Sequence, residues 1–258
     1  MPMAYRLPIL TYHSLDTTGS VISTAPIVFR QQMQWFYQHG FVTISLVQAA
    51  RLLTLKQPFP ERTCVLTFDD GYDNVYQEAF PVLQQYGFTA TVFLVTAYCG
   101  KTNDWPGHRS PIGDRALLSW PQISEMAGHG ITFGSHTATH PDLVRISRDQ
   151  AAHELRESKQ TIEDRLGRKV ETFAYPYGHY NRATVDLVRT HFSVACSTTL
   201  GKAADSDDPT LLPRIDMYYL SSHRLMASLP SIRMDAYLAL RGILRTVKHT
   251  LTDYAGAR

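Results

Sequence analysis

Thr63-Cys64-Val65-Leu66-Thr67-Phe68-Asp69-Asp70-Gly71 is a β-rich apolar run that ends in two adjacent carboxylates. Thr63–Phe68 reads as a buried strand, with Asp69-Asp70-Gly71 at its C-terminal mouth. Side chains alternate along an extended backbone, so neighbouring carboxylates there need not serve one partner. One can grip a metal while the other stays free as a base. The plainer alternative is a turn signal or a helix N-cap, which Asp supplies at many strand ends.

Similar apolar segments recur along the chain, at Ile9–Tyr12, Val42–Ile44, Thr91–Val95, Ile131–Phe133, Thr172–Ala174 and Ser193–Cys196. Periodic patterns between them predict helices near Val28–His39, Leu46–Leu55, Asn74–Tyr86, Trp120–Gly128, Arg148–Leu166 and Arg182–His191. Ser147 with Gln150 makes a capping box for the longest of these, and Gly167 makes its stop. Strands that alternate with helices imply a mostly parallel sheet with covered faces. Folds of that kind gather their chemistry at the C-terminal strand ends, where Asp69-Asp70 lies.

Downstream, Gly134-Ser135-His136-Thr137-Ala138-Thr139-His140-Pro141 follows another strand signal. Two histidines four apart converge on one ion if the chain turns helically there. With Asp70 they supply three ligands and leave positions open for water, the count of a catalytic rather than a closed structural site. The alternative is a pair of half-buried histidines with satisfied nitrogens. Two rival motifs fail. A zincin helix needs Glu after the first histidine, where Thr137 stands, and a phosphatase-type Asp-x-Asp needs an acid where Gly71 stands.

A third element, Phe173-Ala174-Tyr175-Pro176-Tyr177-Gly178, follows a strand signal and precedes a helix near Asn181. Taken with Thr67–Gly71 and His136–His140, in order and spacing, it resembles the polysaccharide deacetylases. These are metal-dependent carbohydrate N-deacetylases related to the nodulation chitooligosaccharide deacetylases. The resemblance runs from Leu7 to Asp216, about four-fifths of the chain. It implies an α/β fold, a distorted and incomplete (β/α) barrel, TIM-barrel-like with about seven strand–helix units. It also implies hydrolysis of an N-acetyl group on an amino sugar of a glycan, oligosaccharide or glycolipid, releasing acetate and a free amine.

On that resemblance Asp70, His136 and His140 hold a divalent metal, Zn by default, with Co, Ni, Mn or Fe also suited. Such an ion strengthens the nucleophile and polarises the carbonyl. Asp69 stays off the metal and takes the proton of the attacking water. Pro176 has no N–H, so the amide of Tyr177 becomes the oxyanion donor, worth about 3 kcal/mol by analogy with other oxyanion holes. Tyr175, Pro176 and Trp120 are assigned to substrate contact, Trp120 by stacking on a sugar ring. A rigid Pro–Gly turn with packed tyrosines, and rim packing of Trp120, are the plainer readings.

Two departures from the family pattern matter. Many members carry an Arg two residues before the Pro of the third motif, where it orients the catalytic aspartate; here the residue is Ala174. Arg214, in Leu212-Pro213-Arg214-Ile215-Asp216, can supply that charge from another strand, or else pair with Asp216 at the surface. The Leu-x-His that protonates the leaving amine in many members has no clear counterpart, and His223 stands in the wrong setting. His13, at the end of the first strand, sits at the right end of the barrel to bind substrate or donate a proton, with a satisfied structural histidine as the alternative.

At 258 residues the chain is long enough for one large α/β domain, with residues 1–230 as its catalytic part. A formal charge of +2 and the lack of a dense Lys/Arg run argue against nucleic acid. Cys64, Cys99 and Cys196 are scattered and odd in number, which argues against a disulfide framework or a thiolate metal site. No basic start followed by a long apolar core opens the chain, and no stretch approaches the roughly 18–20 apolar residues that span a bilayer. The expectation is a cytoplasmic protein.

Residues 231–258 read as an amphipathic helix, with Leu238, Leu240, Ile243, Leu244, Val247 and Leu251 among Arg233, Arg241, Arg245 and Lys248. It docks on the barrel wall, or makes a basic peripheral contact with a membrane surface. Two rival functions stand beside deacetylation. One is a metal amidase acting on a small non-sugar amide, the other a barrel that binds glycan without catalysis.

Overall fold

A computed structural model describes residues 6–106, 112–220, 223–229, 231, 233–242 and 244. In chain order the strands are β1 (Ile9–Tyr12), β2 (Val42–Thr43), β3 (Thr63–Phe68), β4 (Thr91–Leu94), β5 (Thr132–Ser135), β6 (Thr172–Ala174), β7 (Val194–Leu200) and β8 (Leu212–Asp216). All named pairs are parallel, and β1 bonds to both β3 and β8, Ile9 opposite Val65 and Leu10 opposite Ile215. That double pairing closes every strand except β2 into a ring of seven.

Two details differ from the expected pattern. Val42–Thr43 pairs only with Thr63 and Cys64 at the start of β3 and flanks the ring rather than joining it. The ring is closed instead by β8, which apolar periodicity misses because Pro213, Arg214 and Asp216 interrupt the run.

The helices are α1 (Pro26–Gln38), α2 (Leu46–Thr54), α3 (Phe80–Tyr86), α4 (Trp120–Gly128), α5 (Arg148–Leu166), α6 (Arg182–His191) and α7 (His223–Ala227). Ser147 and Gln150 form the expected capping box on α5, and Gly167 closes it at φ +63°. The helix predicted from Asn74 begins as a π turn over Val75–Ala79, in which Phe80 N–H donates to Val75 O. Pro81, which has no N–H to continue an α ladder there, opens α3.

Alternation along the strands sorts two cores. Ile9, Val65, Phe93, Ala174, Val194, Cys196 and Leu212 face a common interior, joined by Leu46, Ala49, Ala50 and Leu53 of α2. Their neighbours Leu10, Leu66, Phe68, Leu94, Phe173 and Ile215 belong to the larger cluster beneath the other helices. The interior turns polar toward the C-terminal strand ends, where the Thr11 and Thr67 hydroxyls lie 3.2 Å apart.

Beyond α7, residues 233–242 are helical. Met234 and Leu238 sink into the larger core, and buried Lys202 pairs with Asp235 at 3.0 Å. Leu240 and Leu244 are exposed, and Ile243, Arg245, Val247, Lys248 and Leu251 lie outside the described residues. Among the described residues no helix is long and apolar enough to cross a membrane.

Candidate active site

Val65 and Thr67 point into the barrel, so Asp69 is the next inward position of the same strand. Were the backbone to stay extended, Asp70 would point outward. It does not, because Asp70 takes a left-handed φ of +68° and Gly71 follows at +71°. A Cβ on Gly71 would come within 3.0 Å of Leu94 Cδ2, so glycine suits both the φ and the space. The turn aims the second carboxylate at the histidines: Asp70 Oδ1 lies 3.4 Å from Nε2 of His136 and 3.4 Å from Nε2 of His140.

The histidines converge without the helical turn that their spacing had made the condition for it. Residues 136–140 form an irregular loop with Thr137 at φ +69° and His140 at φ +59°. Among the described residues six non-glycines have positive φ, and Asp70, Thr137, His140 and Tyr177 are four of them. Such conformations cost about 1–3 kcal/mol each, so the cluster is where the fold concentrates its backbone strain.

Asp70, His136 and His140 are buried, and their donor atoms all lie within 4.8 Å of one another. His136 Nδ1 lies 2.8 Å from Ala174 O; a carbonyl only accepts, so Nδ1 carries a proton and Nε2 is the nitrogen turned to Asp70. Atoms about 2.1 Å from one ion at a tetrahedral angle stand about 3.4 Å apart, the spacing of Asp70 to each imidazole. One carboxylate, two imidazoles and this spacing fit a divalent metal. Burial raises the Asp70 carboxyl, yet the His136 hydrogen bond and the His140 charge outweigh it and hold it far below the ordinary carboxylate value.

Asp69 serves other partners. Arg214 reaches across from β8 and donates Nη1 to Oδ1 and Nη2 to Oδ2, both at 2.7 Å, while its Nε donates to Ser197 O at 3.0 Å. Arg214 is buried, so the alternative of a surface arginine does not hold. Burial raises the Asp69 carboxyl, but the Arg214 guanidinium overrides it and holds it below its usual value. His13 Nε2 lies 3.8 Å from Asp69 Oδ2 on the open side.

A family model described as polysaccharide deacetylase matches residues 56–191. The chain belongs to the polysaccharide deacetylase family. YxkH of Bacillus subtilis (strain 168), which carries a polysaccharide deacetylase name, is 32% identical over 211 residues, 81% of this chain and 71% of that protein. A Staphylococcus epidermidis poly-β-1,6-N-acetyl-D-glucosamine N-deacetylase is 29% identical over 205 residues, 72% of this chain. The chain spans 65% of that enzyme and 56% of its Staphylococcus aureus (strain MSSA476) counterpart. Among solved structures, Streptococcus pyogenes deacetylase PplD in complex with acetate superposes with a TM-score of 0.73 at 28% identity, covering 83% of this chain and 93% of that one. Members of this family are hydrolases of non-peptide carbon–nitrogen bonds.

In this family member the third motif forms a tight turn closed by Gly178 N–H to Tyr175 O and His179 N–H to Pro176 O; the Tyr177 N–H takes part in neither. Tyr177 has φ +58°, is 40% exposed, and sets its ring edge-on to His140 at 4.6 Å. Gly178 is sterically required, since a Cβ there would lie 2.0 Å from Thr198 Oγ1. Tyr175 and Pro176 are buried, which corrects their assignment to substrate contact. The Tyr175 ring packs on Phe173 and its hydroxyl donates to Thr210 O at 3.1 Å.

Trp120 also differs from expectation. It opens α4 part-buried against the core, with the Arg165 guanidinium of α5 5.3 Å over its ring. The tryptophan that meets the cluster is Trp105, 1% exposed, with ring centroids 4.7 Å from His140 and 5.6 Å from Tyr98. It sits in the Cys99–Ser119 loop, which is Gly/Pro-rich and mostly polar and of which residues 107–111 lie outside the described set. The rest is strapped down by Leu118 N–H to Gly71 O and Asp73 N–H to Ala116 O. A lone tryptophan within a polar loop beside the mouth is the signal that could have found it. Glu154, which binds the histidine loop, was missed too, and a charge on a solvated helix face gives no such signal.

Proposed function

We propose that this chain removes N-acetyl groups from an amino-sugar glycan, by water attack on the amide at the Asp70–His136–His140 site. The observation that carries this reading is the division between adjacent carboxylates: Asp70 lies against two imidazoles while Asp69 is held off by Arg214. A divalent metal, Zn by default, supplies Lewis-acid polarisation there when bound.

Asp69 accepts the proton of the attacking water, and Arg214 keeps that carboxylate ionised and fixed in direction. The Tyr177 N–H donates to the carbonyl oxygen as negative charge develops on it. Water oxygen bonds to the carbonyl carbon, the carbon–nitrogen bond breaks, and the nitrogen leaves as an amine after taking a proton from His13 or from protonated Asp69. Acetate is the second product. The poly-β-1,6-N-acetyl-D-glucosamine deacetylases among the relatives favour a β-1,6-linked N-acetylglucosamine polymer as the substrate.

Acetate release from β-1,6- and β-1,4-linked N-acetylglucosamine oligomers tests this. The enzyme is assayed after chelation, after return of Zn or Co, and as Asp69→Asn with its metal content checked. Metal-dependent release that vanishes in Asp69→Asn with metal still bound supports the reading. Release of acetate only from small non-sugar amides would replace the substrate class.

A further inference from the structure

The loop between the two histidines has left-handed residues at Thr137 and His140, and neither is a glycine. Its local backbone preference opposes the shape that brings the imidazoles together, so something outside the loop must hold it. One side is bonded by Thr96 N–H to Thr137 O and Ala97 N–H to Ala138 O. On the other side stands Glu154 of α5. Its Oε2 accepts from the Ala138 and Thr139 N–H groups, both at 2.8 Å, and its Oε1 accepts from the Thr139 hydroxyl at 2.7 Å.

These three donors belong to residues strictly between the ligand pair, and one carboxylate gathers all of them. Successive N–H groups that converge on an anion form a backbone nest, whose shape is fixed while the anion stays. The grip is anchored in turn. Ser158, one helical turn after Glu154, donates to Glu154 O at 2.8 Å and lies 2.7 Å from the hydroxyl of Ser135, the residue before His136.

We propose that Glu154 is a positioning residue: it clamps the His136–His140 loop and so sets the spacing of the two imidazole nitrogens before any ion arrives. The role rests on the metal-dependent reading above and adds to it a residue outside the ligand set. Hydrogen-bond geometry rather than charge carries it. A glutamine oxygen in the Oε2 position still accepts from both N–H groups, and its amide nitrogen donates to a Thr139 hydroxyl that rotates to accept.

The test is a Zn titration of the metal-free full chain against a chromophoric chelator, with amide hydrogen exchange followed at Ala138 and Thr139. Glu154→Ala should bind Zn about tenfold to a hundredfold more weakly and exchange those two amides faster, while Glu154→Gln stays within about threefold of the parent. Equal affinity in the parent and Glu154→Ala overturns the proposal, as does an equal loss in Gln and Ala. If Glu154→Ala does not fold, Thr139→Val removes only the Oε1 arm and should weaken Zn by a few-fold. A parent chain that binds no Zn defeats the functional reading instead, and amide exchange in the metal-free variants still decides whether Glu154 holds the loop.

Discussion

Arg214 and Asp69, 145 residues apart in sequence, meet in a two-pronged ion pair with both arms at 2.7 Å. Neither side chain reaches solvent appreciably, being 3% and 5% exposed. The pair ties the last strand of the ring to the end of the third, next to Asp70, so one interaction joins the barrel's closure to the candidate site.

Arg214→Met leaves Asp69 buried without its cation, which should cost about 3–5 kcal/mol at neutral pH, read from the urea midpoint of the metal-free chain. The sign with pH is defined. In the parent the folded carboxyl lies below its unfolded value of about 3.9, so its stabilisation is complete above that pH and is lost as pH falls through the folded value. In the variant burial prevails and raises the carboxyl, so stability declines as pH rises through the raised value. The deficit should therefore shrink toward acid pH, and a deficit that is constant with pH would count against this account.

Zn at about a hundred times its dissociation constant should stabilise the folded chain by about 2.7 kcal/mol. Thermal melts with Zn and with a chelator measure it. His140→Ala should lose most of that increment, while Trp35→Phe, in the outer core, should keep it. An undiminished increment in His140→Ala would mean that Zn stabilises through another site.

Trp105 lies against a proposed ligand, so metal binding should change its emission. A Zn titration followed by fluorescence should report the site in the parent and in Trp120→Phe but fall silent in Trp105→Phe. Retention of the full change in Trp105→Phe would assign the signal elsewhere.

Gly178→Ala places a methyl where Thr198 already stands. The expected cost is about 1–3 kcal/mol of stability, with a fall in kcat as the Tyr177 N–H is displaced. Thr198→Ala removes the two nearest atoms and should recover part of both losses, which a double-mutant cycle measures. Purely additive effects would show that the contact is not the cause.

The parts of this fold legible in the sequence were those written locally. Ser147, Gln150 and Gly167 mark their helix because capping is settled within one turn. The Thr63–Phe68 strand is legible because it is apolar throughout and bounded by its carboxylates. β8 escaped because its alternate position carries Arg214, whose burial depends on a carboxylate on a distant strand. The Asp70–His136–His140 cluster and the neighbouring Asp69 could be read from spacing, but the loop that joins the histidines could not. Beside the local bonds of His140 N–H to Thr137 Oγ1 and Thr137 N–H to Ser135 Oγ, its shape is held by Glu154 and by the backbone of residues 96–97, and these two leave no trace in the local pattern. Trp105 was displaced by Trp120 because composition marks a loop as polar without saying which of its side chains fold inward.

The left-handed bend at Asp70 has a dynamic consequence. Asp69 and Asp70 are joined by a single planar peptide unit, so a shift at the end of β3 moves the backbone that carries both carboxylates. A backbone shift at one carboxylate is therefore passed to the residue that carries the other, from the Arg214 side of the site to the histidine side.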